Sequence, residues 1–189
     1  MAIFMKYGDI KGEVTAEGYK DWIELNSFQF GSGRGISAGV GGGSKREASA
    51  PSLAEVVVTK TMDVASPLLF KESLAGKGVD VKIDLTRTDN NGKHVAYQKY
   101  VLSDTLVSGY SVSSGGDRPS ESVSLNYTKI DSEYLAVDSK FGSKTTGHIV
   151  YDLSTAMLAC GGARAGRRGG FGASARRRSR RGRCGGARH

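Results

Sequence analysis

Apolar and polar residues alternate at period two over most of this chain, and that limits its fold more than any other feature. In "VDVKIDLT", Val79, Val81, Ile83 and Leu85 fall on one face and Asp80, Lys82, Asp84 and Thr86 on the other. Successive side chains of a strand point to opposite faces, so the segment predicts a half-buried strand, wet on one side. Asn91-Gly92 offers the positive φ of a tight turn, and "HVAYQKYVL" returns as the second arm of a hairpin. The same period recurs at residues 2–7 and in "TLVSGYSVS", "ESVSLNYTKI", "SEYLAV" and "HIVYDL". In "DWIELNSFQF" the apolar parity changes at Asn26-Ser27, and a bulge there would return Ile23, Leu25, Phe28 and Phe30 to one side. "LAEVVVTKT" is apolar on both faces and predicts cover on both. The total is about nine strands.

One helix interrupts them. Ser66 suits an N-cap and Pro67 the first helical position, and Gly76 suits the stop after "LLFKESLA". Leu69, Phe70 and Leu74 would then plug the end of a rolled sheet. Many short strands and one short helix predict an all-β domain over 1–156, a mainly antiparallel β-barrel with one short α-helix. The Gly-rich segments Gly31 to Pro51 and Ser113 to Glu121 read as loops. A structureless loop of about 20 residues inside a compact domain is more often functional than idle.

Charge divides the chain in two. The net charge is +8, from 27 basic and 19 acidic residues. Residues 157–189 hold 10 arginines and no lysine, aspartate or glutamate, so the rest of the chain carries −2. The body is nearly neutral and gives no electrostatic sign of a nucleic-acid or membrane partner. The end has no apolar period and predicts a disordered, basic, Arg/Gly-rich tail. "RRGGFG" resembles an RGG-type RNA-binding patch, and "RRRSRRGR" suits several phosphates. The body prefers Lys, 13 of its 17 basic residues, and the tail uses Arg alone. GC-rich codons read in a wrong frame give such a composition, so a frameshifted or read-through end and a genuine basic extension both stand. Cys160 and Cys184 both lie in the tail, and no cysteine is available to staple the body. The opening "MAIFMKYGDIKGE" has neither a long apolar core nor a cleavage site, so no signal peptide or membrane insertion is expected.

Catalytic chemistry finds little to stand on. His94 and His148 are the body's histidines, and neither has a partner at a recognised catalytic spacing. "GVGGGSKR" lacks the Gly-Lys-Ser/Thr order and the following helix of a phosphate loop. Asp9, Glu13, Asp63, Asp117 and Glu121 read as carboxylates that cap turns, not as an acid/base pair. No enzyme activity, metal or cofactor is expected. A small nucleic-acid-binding barrel acting through the basic tail is the alternative from composition.

Motifs spread along the body carry a resemblance. "YGDIKGE", with Gly8, Asp9, Gly12 and Glu13, is similar to I-x-G-D-[IV]-x-G-E. "FQFG" resembles an aromatic-x-aromatic-Gly element before an extended Gly-rich loop. "VTKTMDVASPLLFKESLAGK", with Thr59, Lys60, Asp63, Ser66 and Pro67, is similar to T-K-x-x-D-x-[SA]-[ST]-P-x-L. "LSDTLVSGYSVSSGGDRPSESVSLNYTKIDSEY" follows V-S-x-x-S-x-x-G then E-x-[VI]-x-L-x-[FY]. "VYDLSTA", with Asp152, resembles a closing W-D element with Tyr151 in place of Trp. In this order they resemble the Hcp (haemolysin-coregulated protein) family of bacterial type VI secretion systems over about residues 2–156.

The resemblance implies a structural tube subunit. Family members form hexameric rings that stack into a tube, pass from the cytoplasm out of the cell without a signal peptide, and can carry effector proteins in the lumen. Implied partners are further copies of the chain, effectors, and the spike, sheath and baseplate of the system. Gln29, opposite Phe28 and Phe30, is the implied lumen-facing residue. Gly31, Ser32, Gly33, Arg34, Gly41, Gly42, Gly43, Lys45 and Arg46 are the loop positions expected at a ring or stacking interface.

Overall fold

The structure is a computed structural model, and it describes residues 1–37, 47–89, 92–137 and 143–160. Positions 41, 42, 43, 45 and 46 of the expected interface loop, and the Arg-rich residues 161–189, lie outside the described residues. The strands are β1 (Ala2–Tyr7), β2 (Ile23–Leu25), β3 (Ser27–Gln29), β4 (Ser32–Gly33), β5 (Ile36–Ser37), β6 (Glu47–Ala48), β7 (Ser52–Leu53), β8 (Val56–Thr61), β9 (Val79–Thr88), β10 (His94–Ser113), β11 (Ser120–Asn126), β12 (Lys129–Val137), β13 (Ser143–Asp152) and β14 (Met157–Cys160), with α1 (Ser66–Ala75) after β8.

All the ladders are antiparallel. Hydrogen bonding runs β2–β1–β9–β10–β11–β8–β3. Its two ends, β2 and β3, are successive pieces of chain joined at Asn26, so the sheet rolls around one core. Met5, Tyr7, Ile23, Leu25, Val56, Val58, Val81, Ile83, Leu102, Val123 and Leu125 fill it. Burying such side chains gives about 1.5–3 kcal/mol each.

Two long-range devices differ from the sequence reading. "HVAYQKYVL" and "TLVSGYSVS" are one strand, β10. Its first half pairs with β9 and β12 and its second half with β11. The register shifts between Leu102 and Thr105, and Asp104 takes a φ of 50° there. The parity change at Asn26 is a change of partner strand rather than a bulge: β2 pairs with β1, β3 pairs with β8, and the Asn26 N–H donates to the Thr59 carbonyl at 2.7 Å.

The wet face of β9 is partly dry. Asp84 and Thr86 are buried because Phe4 pairs opposite Asp84 and stacks on Tyr19, whose ring meets Trp22 edge-on. β8 is buried on one face and half-buried on the other, not covered on both. The β9–β10 turn places Gly92 at φ 80° as the hairpin requires, while Asn91 lies outside the described residues.

The helix corrects three assignments. Ala65 is the N-cap, Ser66 is the first helical residue and Pro67 the second. Ser66 does not cap because its hydroxyl is engaged below the helix. Gly76 ends the helix with an extended backbone, not a left-handed one. A Cβ there would strike the Glu72 carbonyl oxygen. Leu69 alone plugs the core, while Phe70 is 49% and Leu74 72% exposed.

The loop from Gly31 to Pro51 is an arm rather than a structureless excursion. β4 pairs with β7 and β5 with β6, so both sides of its described part form a narrow hairpin. The sheet also runs past residue 156. β14 adds to β13, pairing Ile149 with Cys160 and Asp152 with Met157, so four residues given to the tail by composition form a strand.

Candidate functional site

At the base of α1 the fold gathers charge inside the barrel. Lys60 and Glu121 have fully buried side chains, at 0% exposure each, and lie 2.9 Å apart. The alternation of β8 puts Lys60 in phase with Val56 and Val58, and that of β11 puts Glu121 in phase with Val123 and Leu125. The Lys60 ammonium also meets Asp63 at 2.7 Å and donates to the Ser66 hydroxyl at 3.0 Å and the Thr61 carbonyl at 2.9 Å. Ser66 donates to Glu121 at 2.8 Å, and Tyr110 donates to its other oxygen at 2.8 Å. Burial raises the Glu121 carboxyl, but hydrogen bonds from Lys60, Ser66 and Tyr110 and the Lys60 charge together hold it below the usual carboxylate range. Tyr110 is pushed up to about 12 by burial and by Glu121.

This cluster ties three strands to the helix. Asp63 accepts from the Ala65 N–H at 2.9 Å, and its own N–H donates to Ser66 at 2.9 Å, so the helix start is held by reciprocal bonds. Every ammonium proton is engaged and the Ser66 hydroxyl proton goes to Glu121, so Lys60 donates to Ser66 and takes no proton from it.

Glu13 reaches the same region from the β1–β2 connection. Its carboxylate accepts from the Val64 N–H at 3.2 Å and from Arg118 at 3.3 Å. Gly8 takes a φ of 49°, and Gly12 lies against the Trp22 carbonyl, where no Cβ fits. Those two glycines deliver Glu13, while Asp9 is exposed. Above the cluster Met62, Pro67, Phe70, Tyr110 and Val112 line an apolar groove of about 390 Å³. It continues through Met62 and Asp63 into a polar cleft bearing Glu13, Glu24 and Arg118.

The remaining sequence-predicted residues lie elsewhere. Thr59 shares a 2.6 Å hydrogen bond with Ser27 across β3 and β8. Gln29 is exposed on the face opposite Phe28, which stacks on Tyr100. Gly31, Ser32, Gly33 and Arg34 form the exposed root of the arm. Asp152 folds the β13–β14 turn by accepting from Ser154 and Thr155, and these bonds, the Ser154 hydroxyl's first, hold its carboxyl below the usual range.

Glu121 is a core residue, not a turn cap, and Tyr110 and Arg118 had no assigned role in the sequence reading. The signal for Glu121 was its phase with Val123 and Leu125. His148 pairs with Asp131 at 2.6 Å on adjacent strands, and His94 packs edge-on to Phe4. Among the described residues no group of three His, Cys, Asp or Glu could hold a metal ion, and no helix is long and apolar enough to cross a membrane.

Relatives share this framework. The family profile described as "Type VI secretion system effector, Hcp" matches residues 4–134. No curated protein sequence matches the chain. A solved type six secretion system protein is 23% identical, with 84% of this chain and 99% of that one covered and a TM-score of 0.75. Hcp1 from Salmonella typhimurium is 25% identical, with 84% and 98% covered and a TM-score of 0.64. A type VI secretion system effector from Yersinia pestis is 20% identical, with 79% and 98% covered and a TM-score of 0.59. The matched span runs from β1 through most of β12 and takes in the arm, the helix and the buried cluster, so the chain belongs to the Hcp family of type VI secretion system proteins.

Proposed function

We propose that this chain is the repeating subunit of a secreted tube, with six copies closing into a ring and rings stacking end to end. The family match over residues 4–134 carries the reading. Gln29 faces the lumen and touches effector cargo. Spike, sheath and baseplate of the secretion machine are its other partners, and the subunit leaves the cytoplasm through that machine.

Physical features support this reading. Identical subunits closing into a ring need two unlike, complementary surfaces on each copy. Among the described residues β14 pairs only with β13, and such an edge invites a neighbour. Near-neutrality of residues 1–156 keeps the repulsion between stacked copies small.

Negative-stain imaging of the purified chain tests it: annular particles and short stacks are expected, and monodisperse monomer at high concentration would overturn it. A salt-sensitive gel shift that depends on residues 161–189, with no annuli, would favour the nucleic-acid alternative instead.

The tail is a passenger in this reading, and β14 sets where it can be removed. Truncation after Cys160 should leave the melting temperature and the annuli unchanged. Truncation after Ala156 removes β14 and bares the β13 edge, and should lower the melting temperature by roughly 4–10 °C and promote aggregation. Thermal melts and size-exclusion profiles of the two truncations make the comparison.

A further inference from the structure

Between β1 and β2 the chain leaves the sheet and closes on itself. The Gly12 N–H donates to the Asp21 carbonyl, the Asp21 N–H to the Val14 carbonyl and the Val14 N–H to the Trp22 carbonyl, so residues 12–22 make a narrow flap. Its tip turns at Gly18, with a φ of 86°. Tyr19 is the one buried residue of the flap, and its hydroxyl donates to the Asp84 carboxyl at 3.1 Å. The Tyr19 ring stacks on Phe4 with centroids 4.6 Å apart, and Trp22 meets it edge-on at 5.0 Å. The other tie at the tip is the Glu17–Lys93 pair, and exposed pairs of that kind hold little. Tyr19 is therefore the fastener.

It fastens to a titratable group. Asp84 is buried in the middle of β9, beside the Phe4–Tyr19 stack. Lys99 stands opposite it on β10, and Glu133 stands one strand further on β12. Lys82 lies two residues back on β9, with Lys6 of β1 opposite. Glu24 of β2 and His94 of β10 flank Phe4. Burial raises the Asp84 carboxyl, against Lys99, the Tyr19 hydrogen bond and Lys82, while Glu133 adds to the rise. Burial and Asp84 raise the Tyr19 phenol, so it remains a donor at neutral pH. A protonated carboxyl lies under the flap at small cost. A charged one gains by hydration, and opening the flap supplies the water. The sign follows from the raised value: closure is held below it and weakened above it.

We propose that residues 12–22 are a pH-controlled flap, shut over Asp84 while that carboxyl is protonated and loosened once it ionises. Opening is local, because the flap shares no ladder with β1 or β9, and the core stays folded. It is also transmitted. The root of the flap carries Glu13, which accepts from the Val64 N–H at the start of α1 and from Arg118. A loosened flap slackens that tie to the helix. The device works within one copy of the chain and does not depend on the ring.

Trp22 is the only tryptophan and reports the flap. Acrylamide quenching of its fluorescence in the full chain, from about pH 4 to about pH 9, should rise roughly twofold in one step while the far-UV circular dichroism stays constant. Asp84→Asn should abolish the step and hold quenching at its low-pH value. Tyr19→Phe keeps the ring stack but loses the donor that favours the ionised carboxyl, so its step should move to higher pH. His94→Gln should leave the step in place. A flat profile in the parent would overturn the proposal, as would a step that survives Asp84→Asn or vanishes with His94→Gln. A step that coincides with loss of the sheet signal would overturn it too, because the whole domain would then be unfolding. If Asp84→Asn does not fold, Tyr19→Phe decides: an unmoved step, or one moved to lower pH, counts against the flap.

Discussion

Lys60→Ala should cost roughly 3–5 kcal/mol, a large share of the stability of a domain this size. The cost comes from what the substitution leaves behind. Glu121 stays inside the barrel with no solvent contact, and Asp63 loses the ammonium 2.7 Å away. Truncating the other partner should hurt less, because Glu121→Leu leaves the Lys60–Asp63 pair in place. The Lys60→Met, Glu121→Leu double variant should recover more than half the loss, since well-packed apolar residues often replace a buried pair at little cost. Tyr110 would then lose its acceptor and Asp63 its cation, and that keeps the recovery incomplete. Urea melts of the four proteins give the ranking. A Lys60→Ala variant as stable as the parent would show that the cluster does not hold β8, β11 and α1 together.

Acid should expose the same cluster. The folded Glu121 carboxyl lies below its ordinary value of 4.5. A depressed carboxyl contributes stability that is fully present above its unfolded pKa and is lost as pH falls through the folded value. The loss therefore begins below about pH 5 and deepens further down. Asp84 works with the opposite sign. Burial raises its carboxyl, against the pull of Lys99 and the Tyr19 hydrogen bond, so its contribution is present at low pH and lost as pH rises through the raised value. Glu121→Gln should flatten the acid limb of a stability-against-pH curve, and Asp84→Asn should steepen it.

These two carboxylates mark where the sequence was legible and where it was not. Alternation found the strands, because one-sided burial leaves a period-two trace, as in Val79, Val81 and Ile83. It held the same information about Lys60 and Glu121, each in register with the apolar residues of its strand, but a charged residue in a core phase is easily read as a strand end. Only the three-dimensional pairing of β8 with β11, which places Lys60 opposite Glu121, shows that the two charges answer each other. Asp84 misled for another reason. Its strand pattern is correct, yet the cover comes from Tyr19, 65 residues away, on an irregular stretch with no period of its own. The continuity of β10 was hidden because a single strand that changes partners along its length looks locally like two strands. The groove was unreadable as well: Met62, Pro67, Phe70, Tyr110 and Val112 come from three segments, and the exposure of Phe70 follows from the helix face that Leu69 gives to the core.

Gly12→Ala should be the most damaging single-carbon change among the described glycines, at about 3 kcal/mol, the upper part of the range for overpacking. A Cβ at Gly12 would land on the Trp22 carbonyl oxygen, 2.6 Å from its carbon and 2.8 Å from the Ile23 Cα. Those atoms are backbone and cannot rotate away. Moving them means moving β2, whose Ile23 is wholly buried and paired with Met5. It would also strain the connection held by the Gly12 N–H to the Asp21 carbonyl and the Val14 N–H to the Trp22 carbonyl. Two other glycines separate sterics from backbone conformation. Gly18 has open space but a φ of 86°, so Gly18→Ala should cost about 1 kcal/mol, the left-handed penalty alone. Gly33 has open space and no positive φ, so Gly33→Ala should be within about 0.5 kcal/mol of neutral. Thermal melts of the three variants should fall in that order. If Gly12→Ala melted with Gly33→Ala, the close approach of the two backbones would be refuted.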